Sequence, residues 1–357
     1  MYFSDWIWSL LISTAVCSHC SDFNIRGITD KRWEILRDLF CDNFLQERDL
    51  GASIAVYHQG NLVVDLSGGW FAESRNQFYD NDTLQLVFST SKGLVATVVA
   101  LYVQRGLLDY SEFVTKYWPE YGQHGKKNTM VTDILSHGSG LPDDWSIDER
   151  YLNWTTMIHI LEQQTPIWPP GTVHSYQPYT YGSLAGEVVR RVDPQKRTFG
   201  QIVHDEIANK IDIEFYVGLP SEQQYRVSQH VLDLNVKIIL TGPMLTPFNF
   251  LNEPRTHRAE IPAVNGITNA RSLAKLYASL IIDIDNGKHK RLIDEEIIQK
   301  ATKPNTPQNE VESNTSSIPF GMGFMLFDEV FTSLALGTFG HYGNARLQSY
   351  FVFTCPL

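Results

Sequence analysis

Cysteine is scarce in this chain, with four residues among 357. So few cysteines exclude the disulfide framework of a small secreted domain and make a zinc ribbon unconvincing. Basic residues are in the minority, with 29 Lys and Arg against 40 Asp and Glu and a formal net charge of -11. The chain therefore lacks the broad basic face of a general nucleic-acid-binding protein. No apolar run reaches the roughly 20 residues that a membrane-spanning helix needs.

The signatures of several enzyme classes are missing as well. There is no Gly-x-Ser-x-Gly, so the nucleophile elbow of an α/β-hydrolase is absent. There is no His-Glu-x-x-His, and the 11 histidines are scattered along the chain, which argues against a metal site. Neither Gly-x-Gly-x-x-Gly nor a P-loop occurs. We therefore expect neither a metal nor an organic cofactor.

The N-terminal segment resembles a secretory signal. Residues 6–17, WIWSLLISTAVC, form an apolar run of signal-peptide length with small residues before Ser18, although no basic residue precedes it. Residues 1–17 are interpreted as a signal peptide, and the alternative is a buried strand or helix of an intracellular protein. Three glycosylation sequons, at Asn81, Asn153 and Asn314, agree with a secreted or lumenal location.

The cysteines that remain after such cleavage are odd in number. They are Cys20, Cys41 and Cys355. Because three cysteines cannot all pair within one chain, we expect no essential disulfide.

Apolar periodicity places strands near both ends of the chain and helices between them. One catalytic unit over residues 24–357, with a helical insertion at about 110–255, fits this order. The fold class expected is α+β, with an antiparallel sheet built from N- and C-terminal segments and flanked by helices. The predicted helices are 30–47, 89–105, 129–136, 153–164, 178–192, 198–209, 223–240 and 269–283. The predicted strands are two runs flanking residues 59–61, then 84–88, 321–328, 331–338 and 347–353, with a loop at 302–318.

The sequence Ser89-Thr90-Ser91-Lys92 is the candidate nucleophile. A serine hydroxyl needs a base beside it, and i, i+3 spacing on a helix puts the lysine amine on the same face. Ser89 lies where a strand meets a helix that is apolar on all sides, which predicts a buried lysine with a polar partner. The alternative is a helix-capping serine beside a lysine that extends to solvent.

The pattern occurs a second time, at Ser272-Leu273-Ala274-Lys275. Here the serine falls inside an ordinary amphipathic helix. We expect the side chain of Lys275 to point to water and assign this copy no chemistry.

Five segments in order resemble the serine β-lactamase and penicillin-binding-protein superfamily, in its class C-like and esterase-like branch that includes animal β-lactamase-related proteins. They are VFSTSKGL (87–94), ILSHGSGLP (134–142), PPGTVHSYQPYTYGSLAGEVVRR (169–191), IPAVNGITNARSLAKLYASL (261–280) and FGHYG (339–343). The resemblance implies a β-lactamase/transpeptidase-like fold and acyl-enzyme chemistry.

The same resemblance implies residue roles. Ser89 is then the acylated nucleophile, Lys92 and Tyr176 exchange its proton, and His341 lies on the strand beside the site. The backbone N–H groups of Ser89 and Asn344 would form the oxyanion hole. Gln177 and Gly343 would contact substrate.

Two departures from the family pattern limit the expected activity. Gln177-Pro178 replaces the Ala-Asn of related β-lactamases, which argues against β-lactam hydrolysis more than against hydrolysis in general. After Gly343 the chain reads NARLQSYFVFTCPL, which is shorter than the family's closing strands and helix, so a truncated product that is either poorly stable or inactive is expected.

The sequence thus predicts a serine hydrolase that is more esterase than β-lactamase and acts on a small-molecule or peptide acyl donor. A catalytically inactive relative that binds or scaffolds is the alternative, and a peptidase for D-amino-acid peptides ranks below the esterase. No nucleic acid and no membrane span are expected, and the oligomeric state is left open.

Overall fold

The computed structural model of the protein describes residues 20–143, 146–231, 246–307, 309–310, 318–328, 330–343 and 353–354. The helices are α1 Glu34–Leu45, α2 Ser91–Gln104, α3 Val114–Tyr117, α4 Val131–Leu135, α5 Trp154–Gln163, α6 Thr180–Val192, α7 Phe199–Val203, α8 Asn209–Ile211, α9 Thr246–Leu251, α10 Pro254–Arg258, α11 Ala270–Ile281 and α12 Glu295–Ala301. The strands are β1 Arg26–Thr29, β2 Gly51–His58, β3 Asn61–Gly69, β4 Gln85–Leu86, β5 Val173–His174, β6 Phe215–Tyr216, β7 Ile267–Thr268, β8 Asn309–Glu310, β9 Met325–Leu326, β10 Phe339–Gly340 and β11 Phe353–Thr354.

The N-terminal hairpin forms where the sequence predicts it. Strands β2 and β3 pair antiparallel from Gly51–Gly69 to His58–Asn61. Their turn has Gln59 and Gly60 at φ 49° and 77°, the left-handed pair that a tight hairpin requires. β1 adds to the other side of β3, giving the order β1-β3-β2. Beneath this sheet α1 buries Phe40 and Phe44 in a small core of its own.

The C-terminal strands form a second antiparallel sheet, with the order β11-β10-β9. Helix α11 contacts β2 of the N-terminal sheet and also β11, so it connects the two ends of the chain. A third sheet, β4-β7-β6, sets the strand that leads into α2. This arrangement of small antiparallel sheets and helices is the α+β class expected.

Helix α2 lies at the centre of the main core. Every residue from Ser91 to Tyr102 is buried, which confirms the prediction made from its continuous apolar sequence. Helices α5, α6 and α11 also match the sequence expectation closely. The 198–209 prediction corresponds to α7, a π-helical turn at residues 204–208, and α8.

The predicted helix at 223–240 is wrong in its described part. A 3₁₀ helix covers Ser221–Arg226, and the chain then runs alongside β4 instead of continuing as a helix. The carbonyl of Arg226 accepts from Leu84 N at 2.8 Å, and Ser228 N donates to Leu84 O at 2.9 Å. These inter-strand bonds outweigh helix propensity, because they satisfy backbone groups in the interior. Residues 232–245 lie outside the described part.

The predicted strand at 331–338 is also wrong. The segment forms turns, and the side chains of Phe331 and Leu336 are 45% and 88% exposed. An alternating apolar pattern forms a strand only when its backbone groups pair with a neighbouring strand, and here the pairing with β9 begins at Phe339. The predicted strand at 321–328 shortens to Met325–Leu326. In the predicted loop at 302–318 the short strand β8 pairs with β5.

The disulfide expectation needs correction, because Cys20 and Cys41 are bonded. An odd number of cysteines prevents complete pairing but does not prevent one pair. The bond fixes the N-terminal 3₁₀ turn to α1. The predicted signal peptide, Asn314, Asn344 and most of the predicted strand 347–353 lie outside the described residues. Among the described residues, no helix has the length and apolar character that a membrane span requires.

Candidate active site

The nucleophile turn joins β4 to α2 and contains Ser89. Phe88, just before it, has φ 47°, a left-handed backbone that costs a non-glycine residue on the order of 1–3 kcal/mol. Ser91 fixes this turn from the first residue of α2. Its Oγ donates to Phe88 O at 2.5 Å and accepts from Gly266 N at 2.9 Å. The hydroxyl of Ser89 is therefore presented by a braced, strained turn.

Lys92 is fully buried beside Ser89. Its Nζ lies 3.2 Å from Ser89 Oγ, 2.8 Å from Pro178 O and 3.1 Å from Ala263 O. Burial lowers the pKa of the amine from 10.5 to about 7, and the carboxylate of Asp143 acts in the opposite direction. A neutral amine in this place gives its two hydrogens to the two carbonyls and directs its lone pair at Ser89 Oγ.

Tyr176 approaches the same hydroxyl from the segment after β5. Its phenol and the Ser89 side chain form a hydrogen bond, while burial raises the phenol pKa well above 10. Lys92 Nζ lies 4.9 Å from the centre of the tyrosine ring. Because the phenol stays protonated, it can donate to an oxygen that gains charge beside Ser89.

His341 and Gly343 follow β10 and border the site. His341 is fully buried, and its Nδ1 lies 2.8 Å from Tyr342 O, so the proton is on Nδ1. Its Nε2 has no partner among the described residues. Burial and the Lys92 cation lower the histidine pKa to about 3. A Cβ on Gly343 would lie 2.5 Å from Val87 O and 2.9 Å from Thr90 Oγ1, so only glycine lets this strand reach the nucleophile turn.

The side chain of Gln177 makes hydrogen bonds within the protein. Its Nε2 donates to Ser139 Oγ at 2.9 Å and to Leu141 O at 2.7 Å, and lies 3.2 Å from Thr180 Oγ1. The amide is buried and ties the Tyr176 segment to the loop after α4. Its assignment as a substrate contact stays a prediction.

Asp143 is a site residue that the sequence reasoning missed. Its carboxylate accepts from Tyr179 N at 2.9 Å, from Thr180 N at 3.0 Å and from Tyr151 Oη at 2.6 Å. It therefore caps the N-terminus of α6 and fixes the preceding Pro178 carbonyl, which Lys92 contacts. The only signal was an acid shortly after Ser-Gly-Leu-Pro, which a surface turn would show equally well.

A family model described as Beta-lactamase matches residues 35–356, which is most of the chain. The chain belongs to the beta-lactamase family. The fold agrees, because a family VIII carboxylesterase superposes with a TM-score of 0.77 at 31% identity, covering 88% of this chain and 87% of that one. A penicillin-binding protein homologue from Caulobacter crescentus gives a TM-score of 0.75 at 30% identity, covering 89% and 88%.

One curated relative in this family is named Esterase/beta-lactamase LipL, from Mycobacterium tuberculosis. It is 28% identical over 279 residues, which cover 71% of this chain and 64% of LipL. The chain thus spans less than two thirds of the length of that relative. These findings confirm the superfamily and the fold class expected from the five segments.

The structure brings together Ser89, Lys92, Tyr176 and His341, which lie far apart in the sequence. Gly343 lies against the same turn, and Asn344 falls outside the described residues. The catalytic and oxyanion roles assigned to these residues remain predictions. Asn81 and Asn153 are both exposed, and Asn153 Oδ1 also caps α5 by accepting from Thr156 N at 3.0 Å.

Proposed function

We propose that the protein is a serine hydrolase that cleaves carboxylic esters through an acyl-enzyme on Ser89. The observation that carries the proposal is the position of Lys92 Nζ, 3.2 Å from Ser89 Oγ and otherwise bonded to two carbonyls. That arrangement suits an amine that accepts a proton, because its donors are already committed. The carboxylesterase and LipL neighbours support the ester as the substrate class.

Acylation begins when Ser89 Oγ attacks the ester carbonyl carbon and its proton moves to the Lys92 amine. The carbonyl oxygen becomes an oxyanion, which the backbone N–H groups of Ser89 and Asn344 would stabilise. When the tetrahedral intermediate collapses, the bond to the alcohol oxygen breaks. Tyr176 Oη donates a proton to that alkoxide and regains one from Lys92, so the alcohol leaves neutral.

Deacylation reverses these proton movements with water as the nucleophile. Water attacks the acyl carbon, its proton passes to the same relay, and Ser89 Oγ leaves with a proton. The products are a carboxylic acid and an alcohol, and the enzyme returns to its starting state. An ester suits this site better than a β-lactam, since Pro178 offers no side-chain donor for an amide group.

Labelling with a fluorophosphonate probe and turnover of p-nitrophenyl esters test the proposal. Wild-type protein should be labelled and should turn over the ester, whereas Ser89→Ala should do neither. Ser272→Ala is the matched control, because it removes the serine of the other Ser-x-x-Lys pattern. Labelling of Ser89→Ala would mean that another residue is the nucleophile, and a folded wild type that neither reacts nor turns over esters would favour a binding or scaffold protein.

A second proposal concerns the compartment, where residues 1–17 would act as a signal peptide. The Cys20–Cys41 disulfide supports an oxidising environment, and the asparagines of two sequons, Asn81 and Asn153, are exposed. Expression with residues 1–17 in a eukaryotic secretory host should yield chains that begin near Ser18 and lose mass on glycosidase treatment. Full-length, unmodified chains retained inside the cell would contradict it.

A further inference from the structure

His137 contacts both sides of Tyr176 from the loop that follows α4. Its carbonyl accepts from Ser175 N at 3.2 Å. Its ring Nδ1 accepts from Gln177 N at 3.1 Å. One residue thus holds the backbone N–H of the residue before the tyrosine and that of the residue after it, which restricts the backbone that carries the phenol.

The imidazole ring also packs on the phenol itself. The ring centres of His137 and Tyr176 are 4.7 Å apart, with 40° between the planes. Tyr181 and Phe320 lie 4.9 Å and 4.7 Å from the same imidazole. The tyrosine ring is therefore confined by the imidazole within a buried aromatic cluster.

The protonation state of His137 follows from its partner. Since Nδ1 accepts from a backbone N–H, the ring proton is on Nε2, which is buried without a partner among the described residues. Burial, followed by the nearby His174, Lys92 and His341, lowers the pKa of His137 well below 6.5. The ring stays neutral, so the acceptor is kept across the working pH range.

The backbone at His137 is unusual as well. Its φ of 59° is in the left-handed region, which a bulky residue adopts only when its surroundings enforce it. In this conformation the carbonyl and the side chain of one residue both reach the Tyr176 segment. A histidine therefore occupies a position where glycine would fit the backbone more easily but would supply no ring acceptor.

We propose that His137 is a positioning residue for Tyr176. The Nδ1 of His137 fixes the Gln177 amide and thereby sets the phenol against Ser89. This inference rests on the proposed hydrolase function for its kinetic consequence, but the placement of the phenol does not depend on that function.

Two variants separate the acceptor from the ring. His137→Phe keeps an aromatic ring and removes the acceptor, while His137→Asn removes the ring and keeps an amide oxygen near the Nδ1 position. We expect His137→Phe to lower kcat for a p-nitrophenyl ester by roughly 10–100-fold with KM within about threefold, since small displacements of a catalytic group have effects of that size. His137→Asn should recover at least about fivefold of that loss, since it restores the acceptor.

His174→Phe is the matched control. His174 is another buried histidine of the same cluster, and its Nδ1 contacts Ser136 O at 2.8 Å, whereas the Nδ1 of His137 contacts the Gln177 amide. This variant should lose thermal stability and keep kcat per folded molecule. Circular dichroism gives the folded fraction by which every rate is normalised, so a general loss of structure is not counted as a loss of positioning.

A ¹⁹F NMR measurement, which needs no catalytic turnover, tests the inference even if the protein is not a hydrolase. With 3-fluorotyrosine introduced only at position 176, the wild type and His137→Asn should give one narrow ¹⁹F resonance, and His137→Phe several or one broadened resonance. A single narrow resonance in folded His137→Phe, or wild-type kcat in that variant, would overturn the inference. If the wild type proves inert towards esters, the hydrolase proposal fails and the fluorine spectra still decide the role of His137.

Discussion

The two Ser-x-x-Lys sequences of the chain have the same spacing and opposite surroundings. At the first, Lys92 Nζ contacts Ser89 Oγ and two backbone carbonyls. At the second, Ser272 Oγ accepts from Glu214 N at 3.0 Å, and Lys275 pairs with Asp285 at 2.8 Å. The serine and lysine of the second copy are thus committed to separate structural partners.

The expectation that Lys275 points to water is therefore wrong, because this residue is buried with its charge paired. A carboxylate keeps Lys275 in an ion pair, whereas no carboxylate contacts the amine of Lys92 among the described residues. What distinguishes the two copies is the partner of the lysine, and the sequence pattern does not specify it. The comparison suggests four experiments.

Replacing each lysine should give the largest difference in activity between the two copies of the pattern. Lys92→Met should lower ester kcat/KM by about 10³-fold, which is the usual contribution of a general base. Lys275→Met should leave the activity of folded protein within about threefold and lower the free energy of unfolding by about 2 kcal/mol, since Asp285 loses its cation. Initial rates and urea denaturation of both variants measure the two effects. Equal losses of activity would remove the distinction.

The buried amine of Lys92 should make the stability of the protein depend on pH. With a folded pKa of about 7 against 10.5 unfolded, the buried cation destabilises the fold below pH 7, and the unfolded chain binds the extra proton between pH 7 and 10.5. Stability therefore rises with pH in that window, by about 2 kcal/mol between pH 7 and 9. Lys92→Met should accordingly stabilise the protein more at pH 6 than at pH 9.

Ester turnover should follow the same titration in the wild type. The neutral amine becomes the major form as the pH rises through about 7, so kcat/KM should increase over that range. Thermal melts of wild type and Lys92→Met at both pH values, together with a pH–rate profile, check these statements. If the difference in melting temperature between the two proteins did not change with pH, the proposed destabilisation by the Lys92 cation would be wrong.

A buried serine in each of the two helices should also respond differently to replacement by alanine. Ser91→Ala removes the acceptor of Gly266 N and the donor to Phe88 O, which should cost about 1–3 kcal/mol and roughly tenfold in kcat. Ser279 in α11 is equally buried, but its Oγ bonds only to Leu276 O at 2.6 Å among the described residues. Ser279→Ala should cost less stability and no turnover, as chemical denaturation and initial rates would establish.

The smallest effect is expected at the helix caps. Asn269 caps α11, and its Oδ1 accepts from Ser272 N at 2.9 Å. Asn269→Ala should cost about 1 kcal/mol of stability without changing kcat. Thr90 precedes α2, and its Oγ1 has no partner among the described residues. Thr90→Val should leave the denaturation midpoint unchanged, and a loss equal to that of Asn269→Ala would mean that both helices depend on side-chain caps.

Much of the fold could be predicted because local patterns and tertiary contacts agree. The hairpin at Gln59-Gly60, the buried helix after Ser89 and helices α5 and α11 each follow from the spacing of apolar residues and from turn residues. The prediction fails at 223–240 and 331–338. In both places pairing with a distant strand, or the lack of such a partner, overrides the local pattern.

The amino-acid sequence alone was enough to identify the family resemblance and the residue types near the nucleophile, because the motifs are short and follow one another along the chain. The folded structure was needed to show that Lys92 lies beside a serine and that Lys275 is paired with an acid. It also placed Asp143 and His137, whose roles depend on residues about 40 positions away. Burial and hydrogen-bond partners depend on how distant segments pack together in the interior, so a short stretch of sequence does not specify them.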